Sequence, residues 1–436
     1  MNILLAAYEF PPSGSPQAMR WSELSRQLAA LGHCVTVLTA VGTVMSPDAV
    51  REGDDVDPPG VKVVRTPALP ASRLLAWARR VVLPERMRGA GPVIIPRSFE
   101  GLNWKGRIVA TIGWAQAWAS FPDLRGRWNL TAGPAIESLL RTLRPDVVIT
   151  SHEPASVLEL GRAAVRAGIP WVADLGDPVD ADYLPARWRR RARRLEREVC
   201  SRCSLVSVTT KAYARRLEVQ HGLDPARSIV LRQGFSPRAS SSRESRGLPG
   251  ETLELLYTGQ LYGFRSPVAL LEALGTVDGV RLTLLSPQAS LAGPFAQRLG
   301  SRLRALPPVP RGEVADWQRG ADILVNIGNT MPLQVPGKLF EYFGSGRPVL
   351  HITACDSDES SDLVGGLRRG WVVDNDAGAI RGKLLELLAQ WRRGSLHAGL
   401  DLSKESVDEF SWPTIGARLS DALAEAVEHG PRRMQA

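Results

Sequence analysis

The chain contains 436 residues, of which 44% are hydrophobic and 23% are charged. This length exceeds one typical hydrophobic core, so we expect two domains of roughly 200 residues each. Four cysteines are too few for a disulfide scaffold, and no apolar run approaches the ~18 residues that a membrane-spanning helix requires. The net charge of +9 leaves three classes of partner open: nucleic acid, an anionic membrane surface and an anionic substrate.

The first forty residues predict a strand, a helix and a second strand. Residues 1–7 form an apolar run, and a loop rich in glycine and proline follows it. Residues 19–31 place apolar side chains three and four positions apart, which is the spacing of one helix face, and residues 35–39 form the next apolar run. The first run is too short for a signal peptide, so we expect a cytoplasmic protein. This opening favours a parallel, doubly wound α/β sheet.

The same alternation continues through the first half of the chain. Four apolar runs predict strands and one periodic segment predicts a helix: strands at 144–150, 168–173, 204–209 and 228–232, and a helix at 155–167. Residues 67–130 give a weaker pattern. An amphipathic stretch at 74–83 within them fits a core helix, an acceptor-side wall or a membrane surface, and we favour the first two.

A boundary and a second alternating half follow. Residues 236–251 are rich in Ser, Arg, Gly and Pro, which marks a domain boundary. Beyond it, apolar runs and periodic segments predict strands at 253–257, 280–285, 321–326 and 348–352, and helices at 267–274 and 415–427. The sequence therefore predicts two α/β domains.

The segment 334–349 carries the strongest local pattern in the chain. It follows the predicted strand at 321–326 and contains a Pro-Gly turn, then Lys338, then Glu341 one helical turn later. Backbone N–H groups at a helix start, together with a lysine, form a receptor for phosphate oxygens. A carboxylate one turn further on can accept two hydrogen bonds from a ribose diol. The pattern predicts a nucleotide-diphosphate site; an ordinary strand–helix unit with surface charges is the alternative.

A second loop has a similar character. Residues 257–267 contain Gly259 shortly after the predicted strand at 253–257 and Arg265 shortly before the predicted helix at 267–274. Glycine lets the backbone approach a ligand closely, and arginine pairs with phosphate through two hydrogen bonds. We therefore expect Arg265 and Lys338 to bind the diphosphate. The alternative is a turn with a solvent-facing arginine.

Together these motifs resemble the retaining glycosyltransferases of group 1, or family 4. The resemblance is carried by the proline-rich loop with Gly14, by the Gly32-His33 pair before the second strand, and by the segment 334–349. It implies two Rossmann-like domains that face each other across a cleft, the GT-B fold. The family's C-terminal helix crosses back to the first domain.

The resemblance implies a division of the chain and of its roles. Residues 1–236 form the expected acceptor domain, with residues 412–436 packing back on it. Residues 237–411 form the expected donor domain. The donor is a nucleotide-diphosphate sugar, which is a substrate, and we expect no cofactor and no metal ion.

The resemblance, together with the positions of polar residues at predicted strand ends, assigns residues to the site. Those expected to bind the donor are Gly14, Gly259, Arg265, Leu333, Gln334, Gly337, Lys338 and Glu341. Those expected on the acceptor side are Ser13, Ser15, Glu153 and Asp174. The expected catalytic residues are His152, Asp177, Arg265 and Lys338. In this family the departing phosphate is thought to help deprotonate the acceptor, and His152 or Asp177 would assist.

Two positions depart from the family pattern. Gln260 stands where an arginine usually follows the glycine, and Arg265 stands where a lysine is expected. Leu333 replaces a glutamate that, in the family, lies eight residues before the ribose-binding carboxylate and touches the sugar. We expect backbone amides of residues 333–335 to face the sugar instead. This departure leaves the identity of the sugar open, and it admits an inactive protein or an unusual donor.

The predicted activity is metal-independent transfer of a sugar with retention, to an acceptor of envelope, exopolysaccharide or secondary-metabolite biosynthesis. Asp180 and Asp182 match the metal-binding DxD pattern of another glycosyltransferase fold, but we interpret this match as chance. Two alternatives remain: a nucleotide-sugar epimerase or hydrolase of the same architecture, and a non-catalytic nucleotide or polyanion binder.

Residues 187–197 contain seven arginines in eleven positions and predict a basic helix. A solvated helix face is the simplest interpretation. Peripheral contact with an anionic membrane is an alternative, because Trp188 and Leu195 could insert beside the arginines. No aromatic platform or nucleic-acid motif accompanies the run, so we expect no nucleic-acid partner.

Overall fold

The computed structural model describes residues 1–41, 57–68, 118–182, 184–237, 252–261, 265–356 and 358–431. The chain divides into two compact units. Unit 1 contains Met1–Leu231 and Gly416–Ala436, and unit 2 contains Arg232–Ile415. The amphipathic stretch at 74–83 and residues 238–251 of the predicted boundary segment lie outside the described residues.

Unit 1 contains a seven-stranded parallel sheet. Its strands are β1 (Asn2–Ala7), β2 (Cys34–Val41), β3 (Val61–Pro67), β4 (Val147–His152), β5 (Trp171–Leu175), β6 (Leu205–Val208) and β7 (Ser228–Val230). The spatial order is β3-β2-β1-β4-β5-β6-β7. The order therefore reverses between β1 and β4, and we call the carboxyl ends of these two strands the unit 1 switch point.

Helices pack on this sheet through apolar faces. The described α-helices of unit 1 that precede the boundary are α1 (Pro16–Ala30), α2 (Asn129–Leu143), α3 (Gly161–Arg166), α4 (Ala186–Arg202) and α5 (Lys211–His221). On α1, Trp21, Leu24 and Leu28 are each at most 1% exposed, as the predicted stripe requires. The helix predicted at 155–167 begins instead as a 3-10 segment, Ala155–Leu160, and becomes α-helical only from Gly161.

Unit 2 contains a six-stranded parallel sheet. Its strands are β8 (Leu253–Thr258), β9 (Val280–Leu285), β10 (Leu303–Leu306), β11 (Ile323–Ile327), β12 (Val349–Thr353) and β13 (Gly370–Asp374). The spatial order is β10-β9-β8-β11-β12-β13. The order reverses between β8 and β11, and we call their carboxyl ends the unit 2 switch point.

The helices of unit 2 alternate with its strands. They are α6 (Val268–Leu274), α7 (Gly293–Leu299), α8 (Arg311–Gly320), α9 (Lys338–Gly344), α10 (Glu359–Gly366) and α11 (Ala377–Arg392). The prediction of two parallel, doubly wound α/β folds is confirmed, because both sheets consist of parallel strands joined through helices.

The last helix, α12 (Trp412–His429), is longer than the predicted 415–427. Its residues from Gly416 onward belong to unit 1, where Leu419 and Leu423 are at most 1% exposed. There, Ser420 Oγ lies 2.8 Å from His33 Nε2, so the Gly-His turn before β2 contacts this helix.

The segments at the start and at the end of unit 2 lie side by side. Phe235 N donates to Phe410 O, and Trp412 N donates to Phe235 O, each at 3.0 Å. The Phe235 ring also packs in an apolar cluster with Phe340 and Phe410. Backbone hydrogen bonds and a shared core therefore fasten both ends of unit 2 together.

Candidate functional site

Ligands of open α/β sheets bind beyond the carboxyl ends of the strands, at the point where the strand order reverses. Most of the predicted site residues fall at the two switch points. Gly259 directly follows β8, and the loop containing Leu333 and Gln334 runs from β11 to α9. In unit 1, the loop with Gly14 follows β1, and His152 ends β4.

Lys338 is the first residue of α9, and its ammonium group is buried at the unit 2 switch point. Its Nζ lies 3.2 Å from the centroid of the Tyr257 ring and 5.9 Å from that of Tyr342. Within the described part of the chain, Nζ makes no hydrogen bond. Burial, followed by the positive charge of neighbouring Arg265, lowers the pKa of Lys338 well below the ordinary lysine value. Lys338 thus offers donor groups to an anion at low desolvation cost.

Arg265 is held at the same switch point and is 9% exposed. Its Nε and Nη2 donate to Asn329 Oδ1 at 3.1 and 2.5 Å, and Nη1 donates to Gln260 O at 3.4 Å. Asn329 follows β11, so the loops after both switch-point strands orient this guanidinium. The structure brings the two predicted cations together, since Arg265 Nη1 shares the acceptor Gln260 O with the Tyr257 hydroxyl, and Lys338 Nζ lies over the ring of the same tyrosine.

Gly259 and Gly337 frame these cations for different reasons. Gly259 has φ of 105°, a backbone conformation that favours glycine, and a Cβ there would only touch Lys338 Cδ at 3.7 Å. Gly337 is restricted by space instead, since a Cβ would lie 2.9 Å from Gln233 Cγ. Conformation explains the first glycine, and packing explains the second.

The start of α9 differs from the predicted phosphate receptor in one respect. Leu339 N donates to Pro336 O at 2.9 Å, and Phe340 N donates to Gly337 O at 3.2 Å. These two N–H groups therefore already have carbonyl partners. The prediction that the helix start offers free N–H groups is wrong for these two positions, because the first turn is tightened by bonds across three residues.

Glu341 lies one turn further along α9, as predicted. Its Oε1 lies 3.3 Å from Arg311 Nη2, and the side chain is 35% exposed. Burial of the carboxyl raises the pKa of Glu341, while the charge of Arg311 opposes the rise. The next residue fastens the helix to β8, since Thr258 N donates to the Tyr342 hydroxyl at 2.9 Å. Glu341 is thus a carboxylate on a fixed helix that still reaches the surface.

His152 and Asp177, the two proton-transfer candidates of unit 1, are neighbours. The His152 side chain is hydrogen-bonded to the backbone of Asp177. The other ring nitrogen, Nδ1, makes no hydrogen bond within the described part of the chain. Burial lowers the pKa of His152 below the ordinary imidazole value. The imidazole is therefore neutral near pH 7, which is the form that accepts a proton.

Asp174 lies in the interior of unit 1 and is 1% exposed. Its oxygens accept hydrogen bonds from Arg20 Nη2 at 3.2 Å, from Trp21 Nε1 at 2.9 Å and from the Ser207 hydroxyl. Gln17 Nε2 lies 3.3 Å away. The burial of Asp174 gives no support to the predicted contact with an acceptor. We instead assign it the role of joining α1 to β5 and β6.

A charged cluster at the unit 1 switch point was not identified from the sequence. Arg125 Nη2 lies 2.7 Å from Asp123 Oδ2 and 3.6 Å from Glu153 Oε2, and Arg125 Nη1 lies 3.7 Å from Glu9 Oε1. Burial raises the pKa of Glu9, which is 6% exposed. The predicted acceptor-side residue Glu153 therefore belongs to a cluster of three carboxylates around one arginine.

The serines of the loop after β1 have local roles. Ser15 Oγ accepts a hydrogen bond from Ala18 N at 3.1 Å and so caps α1. Ser13 Oγ accepts from Ser15 N at 3.4 Å. At Gly14, a Cβ would meet no atom within 4 Å. The loop is thus ordered by its serines, and the surface at Gly14 is open.

The basic helix α4 is partly neutralised by its own unit. Arg189 Nε and Arg193 Nε lie 3.0 and 2.7 Å from the two carboxylate oxygens of Asp180, and Arg189 Nη2 lies 2.8 Å from Asp182 Oδ1. Burial raises the pKa of Asp180, but the hydrogen bonds from both arginines outweigh it and hold the pKa below its usual range. The two aspartates of the DxD pattern thus bind arginines.

The apolar residues of α4 face inward. Leu195 is 2% exposed, and Trp188 packs against the core of unit 1 with its ring 5.7 Å from that of Phe121. The suggestion that these two side chains insert into a membrane beside the arginines is therefore wrong. None of the described helices combines the length and the apolar character needed to cross a bilayer.

Sequence comparison gives one family match and several relatives. A family model described as "Glycosyl transferase 4-like domain" matches residues 17–234, half of the chain. A D-inositol 3-phosphate glycosyltransferase from Xylanimonas cellulosilytica is 26% identical over 450 residues, which cover 94% of this chain and 92% of the relative. One from Thermobispora bispora is 27% identical over 266 residues, covering 53% of this chain and 58% of that relative, little more than half its length.

Structural comparison identifies the same architecture at low sequence identity. The α,α-trehalose-phosphate synthase (UDP-forming) from Burkholderia vietnamiensis superposes with a TM-score of 0.63 at 12% identity, covering 98% of this chain and 100% of that chain. The lipopolysaccharide outer core galactosyltransferase WaaB superposes with a TM-score of 0.58 at 12% identity, covering 98% and 99%. The chain therefore belongs to the glycosyl transferase 4-like family and is a glycosyltransferase with the GT-B fold.

Proposed function

We propose that the chain transfers a sugar from a nucleotide-diphosphate sugar to an acceptor hydroxyl, with retention of the anomeric configuration and without a metal ion. One observation carries the proposal: Lys338 Nζ is buried at the unit 2 switch point, beside Arg265, without a hydrogen bond among the described residues. Two adjacent cations repel each other and are costly to bury. A bound dianion compensates for that cost.

The donor chemistry follows from this arrangement. Transfer breaks the bond between the sugar's anomeric carbon and a diphosphate oxygen, and negative charge builds up on the leaving group. Cations fixed in a water-poor site stabilise that charge without reorganising. Lys338 and Arg265 supply the positive charge, and Glu341 accepts hydrogen bonds from the ribose diol. The backbone around Leu333 and Gln334 is proposed to face the sugar.

The acceptor chemistry is assigned to unit 1. The acceptor hydroxyl loses its proton as it attacks the anomeric carbon, and the departing phosphate oxygen takes that proton. We propose that His152, neutral because burial lowers its pKa, assists by accepting a hydrogen bond from the acceptor. Asp177 orients the imidazole through its backbone. Retention is proposed from the family resemblance.

The acceptor is proposed to be a glycan, a lipid-linked sugar or a hydroxylated small molecule. Two relatives are named for D-inositol 3-phosphate, a name that describes those proteins. In this chain, Glu9, Asp123 and Glu153 surround Arg125. Carboxylates accept hydrogen bonds from hydroxyl groups, which supports a polyhydroxylated acceptor.

The test is a panel of nucleotide-diphosphate sugars screened by thermal shift, since a ligand that binds the folded state raises the unfolding temperature. The stabilising donor is then incubated with candidate acceptors, with and without a chelator, and the product linkage is determined by NMR. We expect one donor to stabilise the fold and an α-linked product from an α-linked donor. Conversion of the donor without any acceptor would instead identify an epimerase or hydrolase, and loss of activity with the chelator would overturn metal independence.

A further inference from the structure

Tyr257 lies at the unit 2 switch point, and no role of its own was predicted for it from the sequence. It is the penultimate residue of β8 and is 0% exposed. Buried tyrosines usually serve the core through the ring and satisfy the hydroxyl with one partner. The Tyr257 side chain does more, because its ring contacts Lys338 and its hydroxyl contacts a carbonyl group that also binds Arg265.

The ring lies against Lys338. Nζ stands 3.2 Å from the ring centroid, well within the ~6 Å range of a cation–π interaction. An aromatic face attracts an ammonium through its quadrupole, but it does not engage the N–H groups as a conventional hydrogen-bond acceptor would. This contact explains how the buried ammonium of Lys338 stays in place without a hydrogen bond among the described residues.

The hydroxyl acts on Arg265 through one carbonyl group. Tyr257 Oη donates to Gln260 O at 2.7 Å, and Arg265 Nη1 donates to the same oxygen at 3.4 Å. The carbonyl of Gln260 is therefore fixed by Tyr257 in the position from which it accepts from Arg265. Gln260 stands where the family usually has an arginine, so in this chain its backbone helps to orient the remaining cation.

We propose that Tyr257 is a positioning residue that sets both diphosphate-binding cations, Lys338 through its ring and Arg265 through Gln260 O. The inference rests on the proposed function, since it assumes that these cations bind the diphosphate. Its physical advantage is that the ring holds Lys338 without using the hydrogen bonds that the phosphate oxygens need. Lys338 Nζ therefore breaks no hydrogen bond with the described residues when the diphosphate binds, and the site is preorganised for the ligand.

The experiment separates ring from hydroxyl in the full-length chain. Tyr257→Phe removes only the hydroxyl, and replacing Tyr257 with pentafluorophenylalanine keeps a similar shape but inverts the quadrupole of the ring. Calorimetry measures binding of UDP, GDP and ADP, and the tightest of the three serves as probe. We expect a few-fold loss of affinity for Tyr257→Phe and about a further tenfold loss for the fluorinated ring. Equal affinities for the two rings would overturn the role of the ring.

Two controls exclude a merely structural role. Tyr342→Phe removes a second buried tyrosine hydroxyl at this switch point and is expected to leave the affinity within about twofold of wild type, since the hydrogen bonds of the Tyr342 hydroxyl within the described part of the chain are made with Thr258. The fluorinated ring should also move the alkaline limit of binding to lower pH, because it no longer favours the charged form of Lys338. A structural defect would lower affinity equally at every pH.

A double-variant cycle with Lys338→Met separates this inference from the proposed function. If Tyr257 acts through Lys338, the fluorinated ring costs nothing more once Lys338 has been replaced. An unchanged affinity in Lys338→Met alone would contradict the proposed diphosphate site itself. A loss in Lys338→Met combined with no effect of the ring exchange would leave that site standing and reject only the role of Tyr257.

Discussion

Arg20 and Asp174 form an ion pair of 3.2 Å whose side chains are 0% and 1% exposed. The pair joins α1 to β5 and has further donors in Trp21 and Ser207. Removing one partner of such a pair leaves an uncompensated charge in the core. We therefore expect Asp174→Asn to lower the free energy of unfolding by about 3–5 kcal/mol, measured by urea denaturation. Asp182→Asn is the control, because that carboxylate is 81% exposed, and its loss should cost under ~1 kcal/mol.

The same variant decides between two roles for Asp174. An unfolding free energy like that of wild type, combined with a raised KM for the acceptor, would contradict the structural role and restore the acceptor contact predicted from the sequence.

Glu341→Ala is expected to weaken nucleotide-diphosphate binding about 10- to 100-fold and to abolish transfer, while the protein remains folded. The physical reason is the loss of two charge-assisted hydrogen bonds to the ribose. Calorimetry gives the affinity, and circular dichroism checks the fold. Arg311→Ala, which removes the neighbour 3.3 Å away but keeps the carboxylate, should bind within a few-fold of wild type. Equal losses in both variants would point to a disturbed helix instead.

As the pH is raised, the affinity for nucleotide should decrease at a lower pH than it would if Lys338 had the pKa of an ordinary lysine. Burial and Arg265 lower the pKa of Lys338, so the ammonium form, which binds the anion, is lost as pH rises through that lowered value. Lys338→Arg keeps its charge throughout, because guanidinium does not titrate in this range. Calorimetry of both proteins from pH 7 to 10 is the measurement. A wild-type profile as flat as that of Lys338→Arg would show that Lys338 does not titrate at the site.

His152→Asn is expected to lower kcat about 100-fold, the lower end of the range for general acid–base groups. The neutral imidazole is the active form, and burial lowers the pKa of His152. In the wild-type enzyme, kcat should therefore decrease only when the pH falls below the ordinary imidazole pKa of ~6.5. His33→Asn is the control, since His33 precedes β2 and so lies at the amino ends of the strands, whereas His152 lies at the carboxyl end of β4. An unchanged kcat in His152→Asn would transfer the role to Asp177.

One stripe of α4 is available to an anionic surface. Arg187, Arg190, Arg194 and Arg197 are exposed and are spaced three and four residues apart. Because Trp188 and Leu195 face inward, we propose an electrostatic contact without insertion. Sedimentation with phosphatidylserine vesicles at low salt should succeed and should be lost at high salt.

Charge reversal tests this contact. Arg190→Glu with Arg194→Glu should abolish vesicle binding, since each arginine contributes about 1 kcal/mol near such a surface. Reversing Arg166 and Arg215, whose side chains are 64% and 77% exposed elsewhere in unit 1, should change it much less. Equal effects of the two pairs would mean that net charge alone matters.

The central strands and one edge strand, β7, were predicted from the sequence, whereas the edge strands β3, β10 and β13 were not. Strands covered by helices on both faces are nearly continuous apolar runs, and β11 is such a run, buried at every position. The edge strands β3 and β10 were missed, because their exposed positions carry residues such as Lys62 and Arg304. The period-two signal of a short, half-exposed strand is too weak to separate from a loop.

The site divides in the same way between local and distant information. Gly259, Lys338 and Glu341 belong to local motifs, and the structure places all three at the unit 2 switch point. Asn329 was missed because its partner Arg265 lies 64 positions earlier in the sequence. The cluster around Arg125 was missed because two of its three carboxylates, Glu9 and Glu153, come from distant segments. Asp174 was interpreted as a ligand contact for the same reason: Arg20 lies 154 positions earlier in the sequence.

The paired backbone at Phe235, Phe410 and Trp412 makes residues 232–415 an insertion with neighbouring termini. A gene fragment covering this stretch would encode a complete six-stranded sheet. A short peptide linker between its two ends would make this fragment circular. The proposed nucleotide-binding residues Arg265, Lys338 and Glu341 all lie within this stretch, which is less than half the size of the chain. Conversely, trimming the polypeptide after Ile415 would remove material from the other half, not from this one.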